Sequence, residues 1–152
     1  MSTQSNKFYT IKEASQLSGL PSSTLRYYES VGIIQSVARD NSSGHRAYTQ
    51  EDIDTIDAIA CLSATGMPLE DMRMYLDNWD KGPKGVEVEI RLLKAQERRL
   101  KEEQAYIKIR RDYVKLKISY WRAVKNDDTA QVERIIEEAL TLATTLKFSK
   151  LK

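Results

Sequence analysis

The sequence predicts a mainly α-helical protein, in which a small winged helix-turn-helix domain precedes a long pairing helix and a short C-terminal helix. Three observations support this fold class. Two short amphipathic segments flank the tight turn Ser18-Gly19-Leu20-Pro21, which is the helix-turn-helix pattern. Apolar residues recur every seven positions from Val86 to Trp121, as a coiled coil requires. The 152 residues, 30% charged and 41% apolar, suffice for one compact domain with an extension.

The first helix is predicted over residues 11–17, after a polar tail at residues 1–7 that we expect to be disordered. Thr10 and Glu13 have the spacing of a capping box, in which each residue satisfies a backbone N–H of the other. Leu17 is expected on the same buried face as the residues three and six positions before it.

Side chains suited to DNA binding are concentrated on the second helix, predicted over residues 22–31, and on the loop after it. Arginine, tyrosine and hydroxyl side chains bind phosphate oxygens and base edges. Residues 33–48 are predicted to form a wing with short strands and a turn at its tip. The candidate DNA-binding residues are Ser23, Thr24, Arg26 and Tyr27 on the helix, and Arg39, His45, Arg46 and Tyr48 on the wing.

Several of these residues also have a simpler structural interpretation. Tyr27 and Tyr28 could be core aromatics with surface hydroxyls. Tyr48 could cover the third helix from within the core. Arg39 and His45 could be loop residues that are only solvated, and the sequence leaves these alternatives open.

The third and fourth helices complete the predicted head domain, residues 8–80. Thr49 and Asp52 form a second capping pair at the start of the third helix. Pro68 suits the first position of the fourth helix, where its missing N–H costs nothing. The glycine- and proline-containing segment 81–85 is predicted to be a hinge.

Residues 86–123 are predicted to form a dimerising coiled coil. One row of its seam is wholly apolar, and the other row is apolar at its ends and polar in its middle. A lone helix would expose this stripe at a cost of roughly 1.5–3 kcal/mol per large side chain, so pairing with a second copy is expected. The seam residues are Val86, Ile90, Leu93, Glu97, Leu100, Gln104, Ile107, Arg111, Val114, Ile118 and Trp121.

The polar seam residues favour an antiparallel homodimer. If Gln104 lies at the twofold axis, Glu97 of one chain approaches the partner's Arg111. A parallel pair would instead place like charges opposite each other, which is unfavourable. The segment from Asn126 to Thr129 then ends the long helix and caps a last helix within residues 124–152.

The charge distribution by itself argues poorly for DNA binding. The net charge is +2, but residues 1–78 carry six basic and ten acidic residues. Between Lys7 and Tyr48 the balance reverses to five basic and three acidic residues. Because the local field governs phosphate contact, this shorter segment keeps the DNA interpretation open.

Composition and missing motifs exclude several other classes. A single cysteine can form neither an internal disulfide nor a multi-cysteine metal site, which fits a reducing cytoplasm. No apolar stretch approaches the length that crosses a bilayer. No catalytic Ser/His/Asp set or phosphate-binding glycine loop is evident, so we expect neither an enzyme nor a cofactor.

Five motifs, in order and spacing, resemble the MerR family of bacterial transcription regulators. The resemblance covers the first half of the chain. It implies a homodimer that binds a promoter palindrome, bends and untwists the DNA, and lets RNA polymerase use both promoter elements. It also implies the antiparallel geometry independently. The motifs are Ile11-Lys12-Glu13-Ala14, Leu25-Arg26-Tyr27-Tyr28-Glu29, Gly32-Ile33-Ile34, Gly44-His45-Arg46-Ala47-Tyr48 and Thr65-Gly66-Met67-Pro68-Leu69-Glu70-Asp71-Met72.

Cys61 is the candidate sensor. The segment from Ala60 to Met67 resembles the NmlR/AdhR-type branch of the family, whose members are associated with aldehyde, electrophile or nitrosative stress. The resemblance therefore implies a stress-responsive regulator. Two alternatives remain: a regulator that responds to a small molecule and whose cysteine is a buried structural residue, or an adaptor that binds proteins through its coiled coil.

Overall fold

The computed structural model describes residues 7–149, which form six helices. The mainly helical fold class is confirmed. The predicted polar tail at residues 1–7 lies, apart from Lys7, outside the described residues. None of the helices within residues 7–149 is long and apolar enough to span a membrane. The helices are α1 (Ile11–Ser18), α2 (Ser22–Ser30), α3 (Gln50–Ala64), α4 (Leu69–Asp77), α5 (Gly82–Lys125) and α6 (Thr129–Ser149).

Both predicted capping boxes are present. In α1, the Thr10 hydroxyl accepts the Glu13 N–H at 3.1 Å and the Glu13 carboxylate accepts the Thr10 N–H at 3.1 Å. In α3, Thr49 and Asp52 make the same exchange at 3.1 and 2.9 Å. These bonds satisfy N–H groups that the first turn of a helix leaves unpaired, so local sequence determines where both helices begin.

The chain divides into two compact units after Gln96. We call the described part of the first unit, residues 7–96, the head unit, and the described part of the second, residues 97–149, the hairpin unit. Helix α5 contributes its first part to the head unit and its remainder to the hairpin unit.

The core of the head unit is apolar and is built from α1 to α4 and the segments between them. Helix α3 contacts both α1 and α4, and α1 also contacts α2. The wing, like the helices, contributes residues to this core. The buried residues are Ala14, Leu25, Tyr28, Ile33, Ile34, Val37, Tyr48, Ile53, Ile56, Ile59, Met67 and Met72.

Leu17 was expected on the buried face of α1, but its side chain is 58% exposed. A step of three residues turns an α-helix about 60° short of a full circle. Two such steps take Leu17 far from the direction of Ile11, while Ala14 between them is fully buried.

The predicted wing strands reduce, within the described residues, to two isolated antiparallel bridges: Tyr9 pairs with Tyr48, and Arg39 pairs with Arg46. The first bridge contains two backbone hydrogen bonds, of 2.8 and 2.9 Å. The wing leaves little room for longer strands, because the turn at its tip occupies residues 40–44 and residues 33, 34 and 37 enter the core.

The segment predicted as a hinge is largely helical, since Gly82–Gly85 form the first turn of α5. Pro83 is compatible with this first turn, because the N–H that proline lacks would have no hydrogen-bond partner within the helix there. A Cβ atom on Gly85 would overlap the carbonyl oxygen of Asn78, so the backbones of α5 and the end of α4 approach too closely for a larger residue.

Pro68 was expected to be the first residue of the fourth helix. It is instead the N-cap of α4, and the helix begins one residue later, at Leu69.

The start of α5 is bound to the head unit by a buried amide. Gln96 is 4% exposed, and its Nε2 donates a hydrogen bond of 2.8 Å to the Thr65 carbonyl in the turn between α3 and α4. Leu92, one turn earlier, is 6% exposed. This face of α5 therefore belongs to the packing of the head unit.

The hairpin unit consists of the rest of α5, a tight turn, and α6. Asp127 adopts a left-handed conformation with φ 52°, and the Asp128 N–H bonds back to the Ala123 carbonyl at 3.0 Å. Ala123 and Ile135 are buried, so α6 covers one face of α5. Ile136 and Leu140 of α6 are exposed in the single chain.

Candidate nucleic-acid interface

Helix α2 is attached to the core by two residues and presents its other side to solvent. Leu25 is fully buried and Tyr28 is 7% exposed. Three and four residues apart lie on one helical face, so the intervening Arg26 and Tyr27 are directed away from the core. Both are exposed, as is Ser23, whereas Thr24 is half-buried.

The adjacent tyrosines of α2 have different environments. Their rings lie 6.1 Å apart at an angle of 44°. The Tyr28 hydroxyl is 3.2 Å from Oγ of Ser63 on α3, so this residue links α2 to the core. Tyr27 is 52% exposed, and its hydroxyl bonds to no other residue within 7–149. It is therefore available for a ligand outside the chain.

Arg46 connects the wing to α2. Its Nε donates to a carboxylate oxygen of Glu29 at 2.7 Å, and the two side chains are only 20% and 13% exposed. A guanidinium has five N–H donors, so this bond leaves the terminal nitrogens of Arg46 for a phosphate. The ion pair joins residues 17 positions apart, which spacing in the sequence does not reveal; Glu29 was not among the predicted site residues.

Tyr48 lies in the core and not on the surface, since only 1% of the residue is exposed. The prediction that Tyr48 contacts DNA is therefore wrong, and the alternative, a core residue, is the one found. Within residues 7–149 its buried hydroxyl has no hydrogen-bond partner. Burial raises the pKa of this phenol above its ordinary value of 10.0, because a low-dielectric site disfavours the phenolate.

The tip of the wing is ordered by one carboxylate. Asp40 accepts hydrogen bonds from the backbone N–H and hydroxyl groups of both Ser42 and Ser43, at 2.6 to 3.1 Å. These bonds stabilise the anion and hold the Asp40 pKa far below its ordinary range. Arg39 donates to the Gly44 carbonyl at 3.3 Å, and His45 is exposed. The wing thus presents cationic and polar groups on a braced turn.

Cys61 is exposed on α3. In the single chain, Cys61 is therefore not a buried core residue. Within residues 7–149, no three histidine, cysteine, aspartate or glutamate side chains are grouped as a metal site would require. The thiol is accessible to a reagent in solution.

The predicted seam of α5 is exposed along its length in the single chain. Its eight large apolar residues are each between 41% and 62% exposed. The polar members Glu97, Gln104 and Arg111 are exposed as well. By contrast, the opposite face of α5 is covered at Leu92 and Ala123. The seam is therefore the side of α5 that has apolar surface left to bury.

The chain is similar to known transcription regulators. A family described as MerR HTH family regulatory protein matches residues 9–79. The HTH-type transcriptional regulator AdhR of Bacillus subtilis is 36% identical over 89 residues, which is 59% of this chain and 63% of AdhR. The chain thus spans less than two thirds of that relative. An uncharacterized HTH-type transcriptional regulator of Haemophilus influenzae is 28% identical over 77% of this chain and 86% of its own length.

Solved structures show the same fold. HiNmlR, described as a MerR family regulator lacking the sensor domain and bound to promoter DNA, aligns with a TM-score of 0.65 and 26% identity, over 84% of this chain and 95% of its own. A MerR family regulator from Listeria monocytogenes aligns with a TM-score of 0.63 and 29% identity, over 86% and 98%. Both similarities extend beyond residues 9–79, since they cover more than four fifths of this chain.

Proposed function

We propose that this chain, which belongs to the MerR family of helix-turn-helix regulators, binds promoter DNA as a homodimer, distorts it and regulates transcription. The observation that carries the proposal is the exposed surface of Arg26 and Tyr27 on α2, beside a wing that is attached to the same helix through Arg46. The relatives support it, because the curated ones are named as regulators and HiNmlR is described as bound to promoter DNA.

In this proposal α2 is the recognition helix. The second helix of a helix-turn-helix lies in the major groove, where Tyr27 and Ser23 can reach base edges or phosphates and Arg26 can bind a phosphate. The wing adds Arg39 and Arg46 beside it. Arginine contacts to phosphate position a protein on the duplex, so the Glu29–Arg46 ion pair would fix the wing relative to the recognition helix.

The second copy is proposed to pair along the exposed seam of α5, antiparallel, with Glu97 near the partner's Arg111. Two heads joined by a shared helical pair contact two half-sites at a fixed separation. If that separation differs from the one in straight DNA, binding bends or untwists the duplex. This distortion is how we propose that the dimer lets RNA polymerase use the promoter.

The signal is proposed to be an electrophile such as an aldehyde, received by Cys61. An exposed thiol can react with such a compound, whereas a buried one is inert. A Cys61→Ser strain challenged with formaldehyde or methylglyoxal should lose induction of a reporter under the regulator's own upstream promoter. Ala64→Ser, on the same exposed part of α3, is the matched control. An unchanged response in the cysteine variant would instead support a regulator that responds to a small molecule by another route.

The DNA surface is tested by combining Arg26→Ala with Tyr27→Phe. Both side chains are exposed, so the head should fold and the dimer should sediment unchanged, while footprinting of the upstream promoter should disappear. Arg98→Ala with Tyr106→Phe removes the same groups from α5 and should leave the footprint intact. Undiminished binding by the α2 variant would contradict the assignment of this surface. Absence of any footprint for the wild-type dimer would favour the coiled-coil adaptor.

A further inference from the structure

The head unit contains a cleft of about 400 Å³ that none of the proposed DNA, sensor or seam residues lines. It lies between the turn that follows α2, the first turns of α3, and the end of α4. Ile33 and Ile34, which are 5% and 3% exposed, provide an apolar floor together with Leu76. Small-molecule sites are commonly clefts of roughly 300–1,000 Å³, so this one is large enough for a small ligand. Most of its lining is polar.

The charge of the cleft is strongly negative. Four carboxylates line it, from Glu51, Asp52, Asp77 and Asp80, against the single guanidinium of Arg73. Asp52 is partly compensated, because one of its oxygens caps α3 by accepting the Thr49 N–H. The other three carboxylates have no such helix-capping role. The field within the cleft therefore attracts cations and repels anions.

An aromatic side chain completes the cleft wall. Trp79 is 55% exposed, which is high for a residue of its size and apolar character. Its ring forms a T-shaped pair with Tyr75, with the ring centroids 6.0 Å apart and an angle of 89° between the ring planes. An indole face is the best side-chain partner for a cation without its own hydrogen-bond donors. Trp79 therefore favours an organic cation over a metal ion.

We propose that this cleft binds a small organic cation, an ammonium group joined to an apolar body. The apolar body would cover Ile33 and Leu76, and the charge would lie between Trp79 and the carboxylates of Asp77 and Asp80. Such a ligand would contact both the turn that leads into the wing and the end of α4. The proposal does not depend on the assignment of the DNA surface, because no residue is shared between the two sites.

The test is a titration of the full-length protein with benzyltrimethylammonium, followed through tryptophan indole N–H signals in two-dimensional NMR. The chain has two tryptophans, and only Trp79 lines the cleft, so Trp121 is an internal control. The Trp79 signal, assigned from the spectrum of Trp79→Phe, should shift saturably while the Trp121 signal stays in place. Benzenesulfonate, an anion with the same ring, should shift neither signal.

Matched variants separate the cleft from the general charge of the protein. Asp77→Asn with Asp80→Asn should weaken binding of the probe about tenfold, as expected for removing two partly solvated charges near a cation. Asp54→Asn with Asp57→Asn changes the net charge equally on exposed positions of α3 that do not line the cleft, and should leave affinity unchanged. Equal effects of the two pairs, an equal shift with benzenesulfonate, or no saturable shift up to about 10 mM probe would overturn the proposal.

Discussion

Isoleucine side chains are buried in the head unit but exposed on the seam of α5. Ile56, in the middle of α3, is fully buried, whereas Ile107, in the middle of α5, is 49% exposed. The apolar rows of α3 are covered by α1 and α4 of the same chain. The seam of α5 has no such cover within residues 7–149. The head unit therefore completes its own core. The long helix carries apolar surface that only a partner outside residues 7–149 can bury.

The difference predicts that substitutions in the two regions destabilise the protein in different ways. In the head, a lost contact should change the free energy of unfolding independently of protein concentration. On the seam, it should act through association, so that its effect grows as the protein is diluted.

Truncation of the head core should have the largest effect. Ile56→Ala removes buried methyl groups and leaves a cavity, which typically costs about 2–5 kcal/mol. Urea denaturation followed by circular dichroism should show this loss at every protein concentration. Leu17→Ala, on an exposed apolar residue of the same unit, is the control and should change stability by less than about 0.5 kcal/mol. Equal effects of the two substitutions would contradict the described core.

Gly85→Ala tests whether the predicted hinge is a packed contact. Glycine to alanine in an exposed helix normally stabilises by about 1 kcal/mol. Here the added Cβ would overlap the Asn78 carbonyl oxygen, so we expect a loss of about 1–3 kcal/mol, as for other overpacked sites. Thermal denaturation measures the sign. A stabilised variant would show that α5 and the end of α4 are not in close contact and would restore the flexible hinge.

Exchange of seam charges should have an effect of about 1 kcal/mol or less, because both groups are exposed in the single chain. Glu97→Arg should weaken the proposed antiparallel dimer by placing like charges together, and adding Arg111→Glu should restore it. Sedimentation equilibrium at several concentrations measures both steps. If the double variant associates no better than the single one, the proposed register is wrong.

Tyr48→Phe should have the smallest effect. Its hydroxyl is buried without a partner within residues 7–149, and removal of such a group at constant shape is nearly neutral or slightly stabilising. Promoter affinity should also stay unchanged, since the ring does not reach the surface. A large loss of affinity would return Tyr48 to the DNA-binding set.

The same variant has a pH signature. The folded state keeps the Tyr48 phenol neutral at pH values where the unfolded chain ionises, because its pKa is raised above 10.0. The contribution of Tyr48 is therefore complete below pH 10 and is lost as pH rises through the folded pKa. Wild type should lose stability relative to Tyr48→Phe over that interval, which paired urea titrations at pH 8 and above pH 10 can detect.

Features determined by neighbouring residues were predictable from the sequence. The capping boxes of α1 and α3 depend on residues three positions apart, and both were found as expected. The exposure of α2 follows from the spacing of Leu25 and Tyr28 on one face. The heptad pattern likewise identified the side of α5 that is exposed.

Features determined by distant contacts were not predictable. The Glu29–Arg46 ion pair arises because the wing folds back on the head, and no local pattern encodes that contact. For Tyr48 the sequence left the core role and the surface role open, and only the folded wing decides between them. The cleft beside Trp79 joins segments from residues 32 to 80 and has no sequence motif. The predicted short strands are reduced to isolated bridges for a related reason, since Ile33, Ile34 and Val37 of the wing pack into the core.

The sedimentation-equilibrium mass of the full-length protein at micromolar concentration shows directly whether two copies associate. The exposed seam predicts a homodimer, with twice the chain mass of 17.5 kDa, and Ile107→Asp should reduce it to the mass of a single chain with the helical content of the head preserved. A wild-type mass of 17.5 kDa, or a dimer that Ile107→Asp leaves intact, would contradict the proposal that two copies pair along α5.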